Sequence, residues 1–274
     1  MNNKRVDFGT AIGLVAGLAI IGLGALRGGG ELYWFFNLNS IFIVLGGTLA
    51  ATMVNYPLKQ VKNLANVLKQ VFEEDSVSYN EMIERIVELG EKARKKGLLS
   101  LEPELAQIED KYLRDGVELA ITEKDPVRLR QYLKLELANM ERRHSIGQEI
   151  FFYMGSYAPA FGMLGTVMGL IVMMNNFSGG PTSLELIEFD VAKKFADLLG
   201  GMALALITTF YGVLLSNLVF LPIGGKLKRK SDEEIMLKLI VMEGIISLHK
   251  KDHPIVIRDK LMTFVPTTLR KEVY

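Results

Sequence analysis

Residues 151–177 read FFYMGSYAPAFGMLGTVMGLIVMMNNF, without one charge. About 20 apolar residues suffice to cross the hydrocarbon core of a bilayer, so the run predicts a membrane span. It also carries Pro159, Thr166 and four glycines, Gly155, Gly162, Gly165 and Gly169. A span that only anchors a protein has no need of them. They predict a helix that packs tightly on its neighbours and lines something polar. Three further uncharged runs, 8–26, 32–56 and 198–225, are each long enough to span. The first exceeds the ~7–15 residues of a secretory h-region and lacks a convincing A-x-A-like site, so it reads as a span rather than a cleaved signal. The chain is thus expected to be all-α, a four-span transmembrane helical protein with a helical cytoplasmic domain.

Composition fits that reading. The 274 residues are 49% hydrophobic yet 23% charged, as in a membrane protein with a large water-exposed part. A net charge of +1 offers no bulk field for nucleic acid. The absence of cysteine excludes disulfides, thiolate metal sites and cysteine nucleophiles. Of the 32 Lys and Arg, Arg27, Lys193 and Lys194 alone fall on one side when four spans are threaded. The positive-inside rule then predicts both termini and the long middle segment in the cytoplasm. Tyr33, Trp34, Phe35 and Phe36 fit an aromatic belt at the outer interface.

Four regions follow. Residues 1–56 form a first transmembrane hairpin, with Gly9, Gly13 and Gly17 recurring every fourth residue as close-packing positions. Residues 57–149 form a helical cytoplasmic domain. There Pro57 suits a first helical turn, Ser78 to Glu81 form a capping box, and Asp125-Pro126 opens a helix through Val127, Leu129, Leu133 and Leu137. Residues 150–225 hold the third and fourth spans and an outer segment, 178–197, read either as a short amphipathic helix or as a solvated loop. Residues 226–274 form a cytoplasmic C-terminal helix and tail, with Ile235, Leu239, Met242 and Ile246 on one helix face.

No nucleotide loop, catalytic triad or metal-ligand cluster is evident, so neither an enzyme nor a metal site is expected. His249 and His253, four residues apart among Lys250, Lys251 and Pro254, read as a solvated tail. None of the four spans contains Asp, Glu, Lys, Arg or His. Such groups are the usual carriers of ions or protons through a membrane. If the chain conducts, the charged carrier belongs to another chain. What remains is hydroxyls and amides, among them Ser156, Thr166, Thr208, Thr209, Ser216 and Asn217. On a helix, Pro159, Met163, Thr166, Leu170 and Met173 share one stripe. Leu198, Met202, Ala205, Thr209, Gly212 and Ser216 share another. Two readings are open: hydroxyls that replace part of an ion's hydration shell, or threonines that bond their own helix one turn back.

At these residues the sequence resembles the MotA/PomA family, the channel-forming subunit of the bacterial flagellar stator. Ala158 to Thr166 resembles its third-span signature, Ala205 to Gly212 its fourth-span signature, and Arg94 to Glu102 its rotor-contacting segment. The similarity covers nearly the whole chain. It implies a homopentameric ring around two copies of a MotB/PomB-like subunit, each supplying one intramembrane aspartate, in the inner membrane of a bacterial cell. It implies transported Na⁺ or H⁺ and no bound cofactor. Thr166, Thr208, Thr209, Pro159 and Ser156 would border the ion pathway. Pro159 and Pro222 match prolines used in torque generation, and Arg94 and Glu102 would meet the rotor protein FliG. Sodium is favoured, because Thr166 and Thr209 are the hydroxyls that sodium-type members place beside the partner's aspartate. Two departures stand out: Ser156 replaces an aspartate common in sodium-driven members, and the outer segment is longer. The alternatives are an ExbB/TolQ-like energiser of outer-membrane processes and a non-conducting membrane scaffold.

Overall fold

The computed structural model describes residues 5–74, 78–178 and 191–266. In chain order, α1 covers Phe8–Arg27, α2 Leu38–Ile41, α3 Gly47–Asn55, α4 Leu58–Phe72 and α5 Tyr79–Lys96. Then follow α6 Lys111–Thr122, α7 Pro126–Ser178, α8 Val191–Leu214, α9 Leu221–His249 and α10 Pro254–Met262. Two π-turns, Phe42–Gly46 and Leu215–Phe220, join α2 to α3 and α8 to α9. Among the described residues the extended exception is a two-residue antiparallel pairing of Arg5–Val6 with Glu73–Glu74. Among the described residues four helices are long and apolar enough to cross a membrane, and each expected span falls largely in one of them. Most of the expected outer segment 178–197 lies outside the described residues, and α8 is already helical from Val191.

The chain divides into two compact units. The first comprises the described residues up to Glu74 with Ile146–Leu227. Its helices meet where glycines allow it. A Cβ on Gly17 would lie 2.5 Å from Leu218 Cδ1, and one on Gly47 2.2 Å from Phe161 Cδ1. Pro57 is the N-cap of α4 rather than a residue of its first turn. That helix buries Leu64 and Val71 among Val44, Ile150, Phe151 and Phe220, and leaves Lys59, Lys62 and Lys69 exposed. Asp7 caps α1 by accepting the Thr10 N–H at 3.2 Å. Lys226 donates to Asp7 and to Thr10, and its ammonium holds the Asp7 carboxyl below the usual carboxylate range.

The second unit takes in the described residues from 78 to Ser145 and from Lys228 onward. Ser78 accepts the Glu81 N–H at 3.3 Å and opens α5; Asp110 accepts the Leu113 N–H at 2.8 Å and opens α6. Ile83, Ile86, Leu113, Leu129, Leu133, Ile240 and Ile245 form the core. Val127, placed by its spacing with Leu129 and Leu133, faces outward at 61% exposure. Met242 and Ile246 are buried as their spacing predicts, while Ile235 and Leu239 are half-buried. This stretch is not a separate helix but the later part of α9. Arg130 clamps Glu243 through two bonds, of 2.5 and 3.0 Å, and Lys260 approaches the same carboxylate at 2.7 Å. Burial pushes the Glu243 carboxyl up, but the hydrogen bonds and charges of Arg130 and Lys260 outweigh it and leave the group below its ordinary range.

Candidate functional site

The glycines of α7 and α8 let the two backbones nearly touch. A Cβ on Gly162 would lie 2.9 Å from the Thr208 carbonyl and 3.2 Å from Gly212 Cα. One on Gly212 would lie 2.7 Å from the Ala158 carbonyl. Further along, one on Gly169 would lie 3.1 Å from Ala205 Cβ. Any side chain at Gly162 or Gly212 would meet main chain, which cannot swing aside.

That approach brings Thr166 and Thr209 together, with their hydroxyl oxygens 2.5 Å apart. Thr166 Oγ1 also lies 2.9 Å from the Ala205 carbonyl across the contact and 3.2 Å from the Gly162 carbonyl of its own helix. Thr209 Oγ1 lies 3.5 Å from the Gly162 carbonyl. Of the two readings left open by the sequence, these contacts bear on the second: the Thr166 hydroxyl is within reach of its own helix one turn back, and also of the facing helix.

Either hydroxyl can be the donor of the bond between them. Each hydroxyl has one proton and two lone pairs. When Thr166 donates to the Ala205 carbonyl, Thr209 donates to Thr166. Both protons then point inward. Thr209 is exposed and Thr166 half-buried, so in this arrangement the edge they present to a neighbour is made of lone pairs. Such an edge accepts a hydrogen bond from a protonated acid or supplies oxygen to a cation. It offers a bare carboxylate nothing, whereas with Thr166 donating to Thr209 the exposed Thr209 proton would be free to donate.

Two other expected residues stand apart from this pair. Thr208 is fully buried, packs against Gly165 and donates to the Ala205 carbonyl of its own helix at 2.8 Å. Ser156 is exposed and donates to the Tyr153 carbonyl of its own helix at 2.9 Å.

Pro159 lies inside α7. Having no N–H, it deprives the Gly155 carbonyl one turn back of its helical partner. Ser216, in the π-turn between α8 and α9, donates to that carbonyl at 2.6 Å. Pro222 comes directly after the first residue of α9, where the π-turn has already interrupted the regular ladder. One further tie was not read from the sequence: Tyr211 donates to the Phe35 carbonyl at 2.6 Å. The signal for the serine was present, as a hydroxyl on the same stripe as Thr209. Nothing in the pattern points to the tyrosine's acceptor, which is a main-chain oxygen.

In the second unit, Arg94 lies in the last turn of α5. Gly97, at φ +87°, then turns the chain into the 3-10 segment Leu98–Gln107 that carries Glu102. Arg94 and Glu102 are both exposed. Their neighbours pair with each other: Lys92 lies 2.8 Å and Arg85 3.6 Å from Glu104. His249 and His253 do not converge. His249 Nε2 lies 2.8 Å from the Glu123 carbonyl, and His253 caps α10.

Residues 104–238 match the MotA/TolQ/ExbB proton channel family. The chain is 37% identical over 264 residues to the uncharacterized protein YtxD of Bacillus subtilis, covering 95% of this chain and 91% of that one. It is 36% identical over 239 residues to motility protein A of Borreliella burgdorferi, covering 87% and 86% of the two chains. The solved flagellar MotAB stator complex from Bacillus subtilis superposes with a TM-score of 0.81 at 28% identity, covering 94% of this chain and 96% of that one.

Proposed function

The chain belongs to the MotA/PomA family, and from that premise we propose that it is the channel-forming subunit of an ion-driven flagellar stator. The observation that carries this reading is the Thr166–Thr209 pair, 2.5 Å apart, on spans without Asp, Glu, Lys, Arg or His. A neutral acceptor edge completes a site only when something facing it brings the charge. A MotB/PomB-like subunit with a membrane-embedded aspartate has that chemistry. Five copies of this chain would surround two such helices in the inner membrane, with both termini in the cytoplasm as the basic residues favour. Ion binding at the partner's aspartate would drive the ring around it.

Force would leave through Arg94 and Glu102, which are exposed while Lys92, Arg85 and Glu104 satisfy one another. The rotor protein FliG is the proposed recipient. Sodium is the favoured ion, since Na⁺ requires several oxygens and the threonine pair offers lone pairs beside the presumed carboxylate. A proton needs the carboxylate alone.

The test is swimming speed against external sodium, with and without a protonophore, in cells whose only stator is this chain and its partner. Speed that follows sodium and survives the protonophore supports a sodium stator. Collapse with the protonophore and indifference to sodium assigns the proton. No rotation with any partner overturns the stator reading.

A further inference from the structure

We propose that Ser216 is a positioning residue that fastens the proline break of the third span to the π-turn of the fourth, so that the two breaks move as one element. The proposal rests on the stator reading above and names a part of its machinery. Pro159 leaves the Gly155 carbonyl without a helical donor, and Gly155 is buried. A serine in a membrane helix commonly bonds the carbonyl one turn back in its own helix. Ser216, 3% exposed, reaches across to Gly155 at 2.6 Å instead.

The main chain of the same serine is engaged as well. Its carbonyl accepts the Leu221 N–H, a bond within the π-turn that immediately precedes Pro222. The Leu221 side chain fills the place a Cβ on Gly155 would take, at 2.6 Å. Ser216 thus holds the carbonyl freed by one proline with its side chain and a bond beside the other proline with its main chain. A shift at either break reaches the other through one short hydrogen bond. Neither Ser216 nor Gly155 belongs to the threonine pair, so the link is expected to govern how ion occupancy becomes motion rather than how tightly the ion is held.

The experiment is a double-mutant cycle in the purified complex of this chain with its partner subunit, using Ser216→Ala, Pro159→Ala and both together. Alanine at 159 restores an N–H to the Gly155 carbonyl and makes the hydroxyl dispensable. Ser216→Ala is therefore expected to lower the melting temperature by several degrees with Pro159 present and to have little effect beside Pro159→Ala. Ser216→Thr, which keeps the hydroxyl, restores the melting temperature. In cells, torque is read unit by unit as the step height when stators join a motor driving a tethered bead. Ser216→Ala should lower step height and leave the ion concentration for half-maximal speed unchanged.

An equal loss of stability in both backgrounds would overturn the link, because the hydroxyl would then act independently of the proline. Unchanged step height with fewer steps would also overturn it, since the serine would serve assembly alone. If the unmodified complex melts cooperatively yet turns no motor, the stator reading fails. The melting cycle still decides whether the serine answers the proline.

Discussion

Gly212→Ala probes the contact that builds the threonine pair. The new methyl would sit 2.7 Å from the Ala158 carbonyl and 3.1 Å from Gly162 Cα and Pro159 Cα. Favourable carbon contacts lie at about 3.5–4.0 Å. The two helices would have to part by roughly 0.5–1 Å at this level, because every atom met is main chain. Thr166 now donates to the Ala205 carbonyl at 2.9 Å; the same parting would stretch that bond past the ~3.2 Å range of a good hydrogen bond. Overpacking costs ~1–3 kcal/mol, and a weakened hydrogen bond adds ~0.5–1.5 kcal/mol. The complex should therefore melt several degrees lower and need a higher ion concentration for half-maximal rotation. Gly200→Ala, on the same helix, is the control: its Cβ meets nothing within 4 Å, and alanine is favoured over glycine inside a helix by ~0.5–1 kcal/mol. Thermal melting of both purified variants, with swimming speed titrated against the ion, measures the difference. Equal melting temperatures for the two would refute the argument that the backbone approach at Gly162 and Gly212 is what holds the site together.

Three other predictions concern separate parts of the molecule. Thr209→Ala removes the outward oxygen of the pair, a loss of ~1–2 kcal/mol that should raise the half-saturating ion concentration roughly 5- to 30-fold in a swimming titration; Thr166→Val should act in the same direction, and an unchanged ion dependence in both would remove the main support for sodium. Neutralising Arg94 or Glu102 singly should slow swimming mildly, since exposed ion pairs contribute ~0–1 kcal/mol, whereas reversing both should slow it strongly and leave ion flux intact; normal swimming by the double reversal would exclude these residues from force transfer. The Glu243 carboxyl is depressed in the folded chain, so its contribution is fully present above the unfolded carboxylate pKa of ~4.3 and lost as pH falls through the folded value. Glu243→Gln should flatten the acid limb of a melting-temperature profile, and an unaltered limb would show that the Arg130–Glu243–Lys260 cluster does not set acid stability.

The spans and the threonine pair were legible because their causes lie in composition and period. Uncharged runs near bilayer length admit few folds, and Thr166 and Thr209 fall on stripes that two helices can bring face to face. Arg94 and Glu102 were legible as charges, but their availability was not. It depends on Lys92 and Arg85 being occupied by Glu104, and sequence spacing does not specify which charge in a crowded segment finds a partner. The resemblance grouped Thr208 with Thr209 at the ion pathway, although the helical stripe held Thr209 alone. One residue is a rotation of 100° on a helix, and that rotation turns Thr208 into the contact with Gly165 while Thr209 stays exposed. The π-turns have no periodic signature. Pro222 marks an interruption in the ladder, but an extra residue in a turn is decided by packing on the neighbouring helix, here the Ser216 contact with Gly155.

On the proposed reading, and with Thr209 donating to Thr166, the threonine pair bears on how occupancy of the partner's carboxylate controls movement. A bare carboxylate accepts hydrogen bonds and donates none. Facing an edge of lone pairs in a low-dielectric setting, it finds no partner, and a charge left unpaired there is costly. A carboxylate carrying Na⁺ or H⁺ presents a cation or a donor to the same edge and is accepted. The pair would therefore distinguish the loaded partner from the unloaded one without a charge of its own. A lysine or arginine at either position would invert this preference and grip the empty carboxylate. The lack of Asp, Glu, Lys, Arg and His along spans three and four is thus what a track would need if its partner is to bind when loaded and leave when turned.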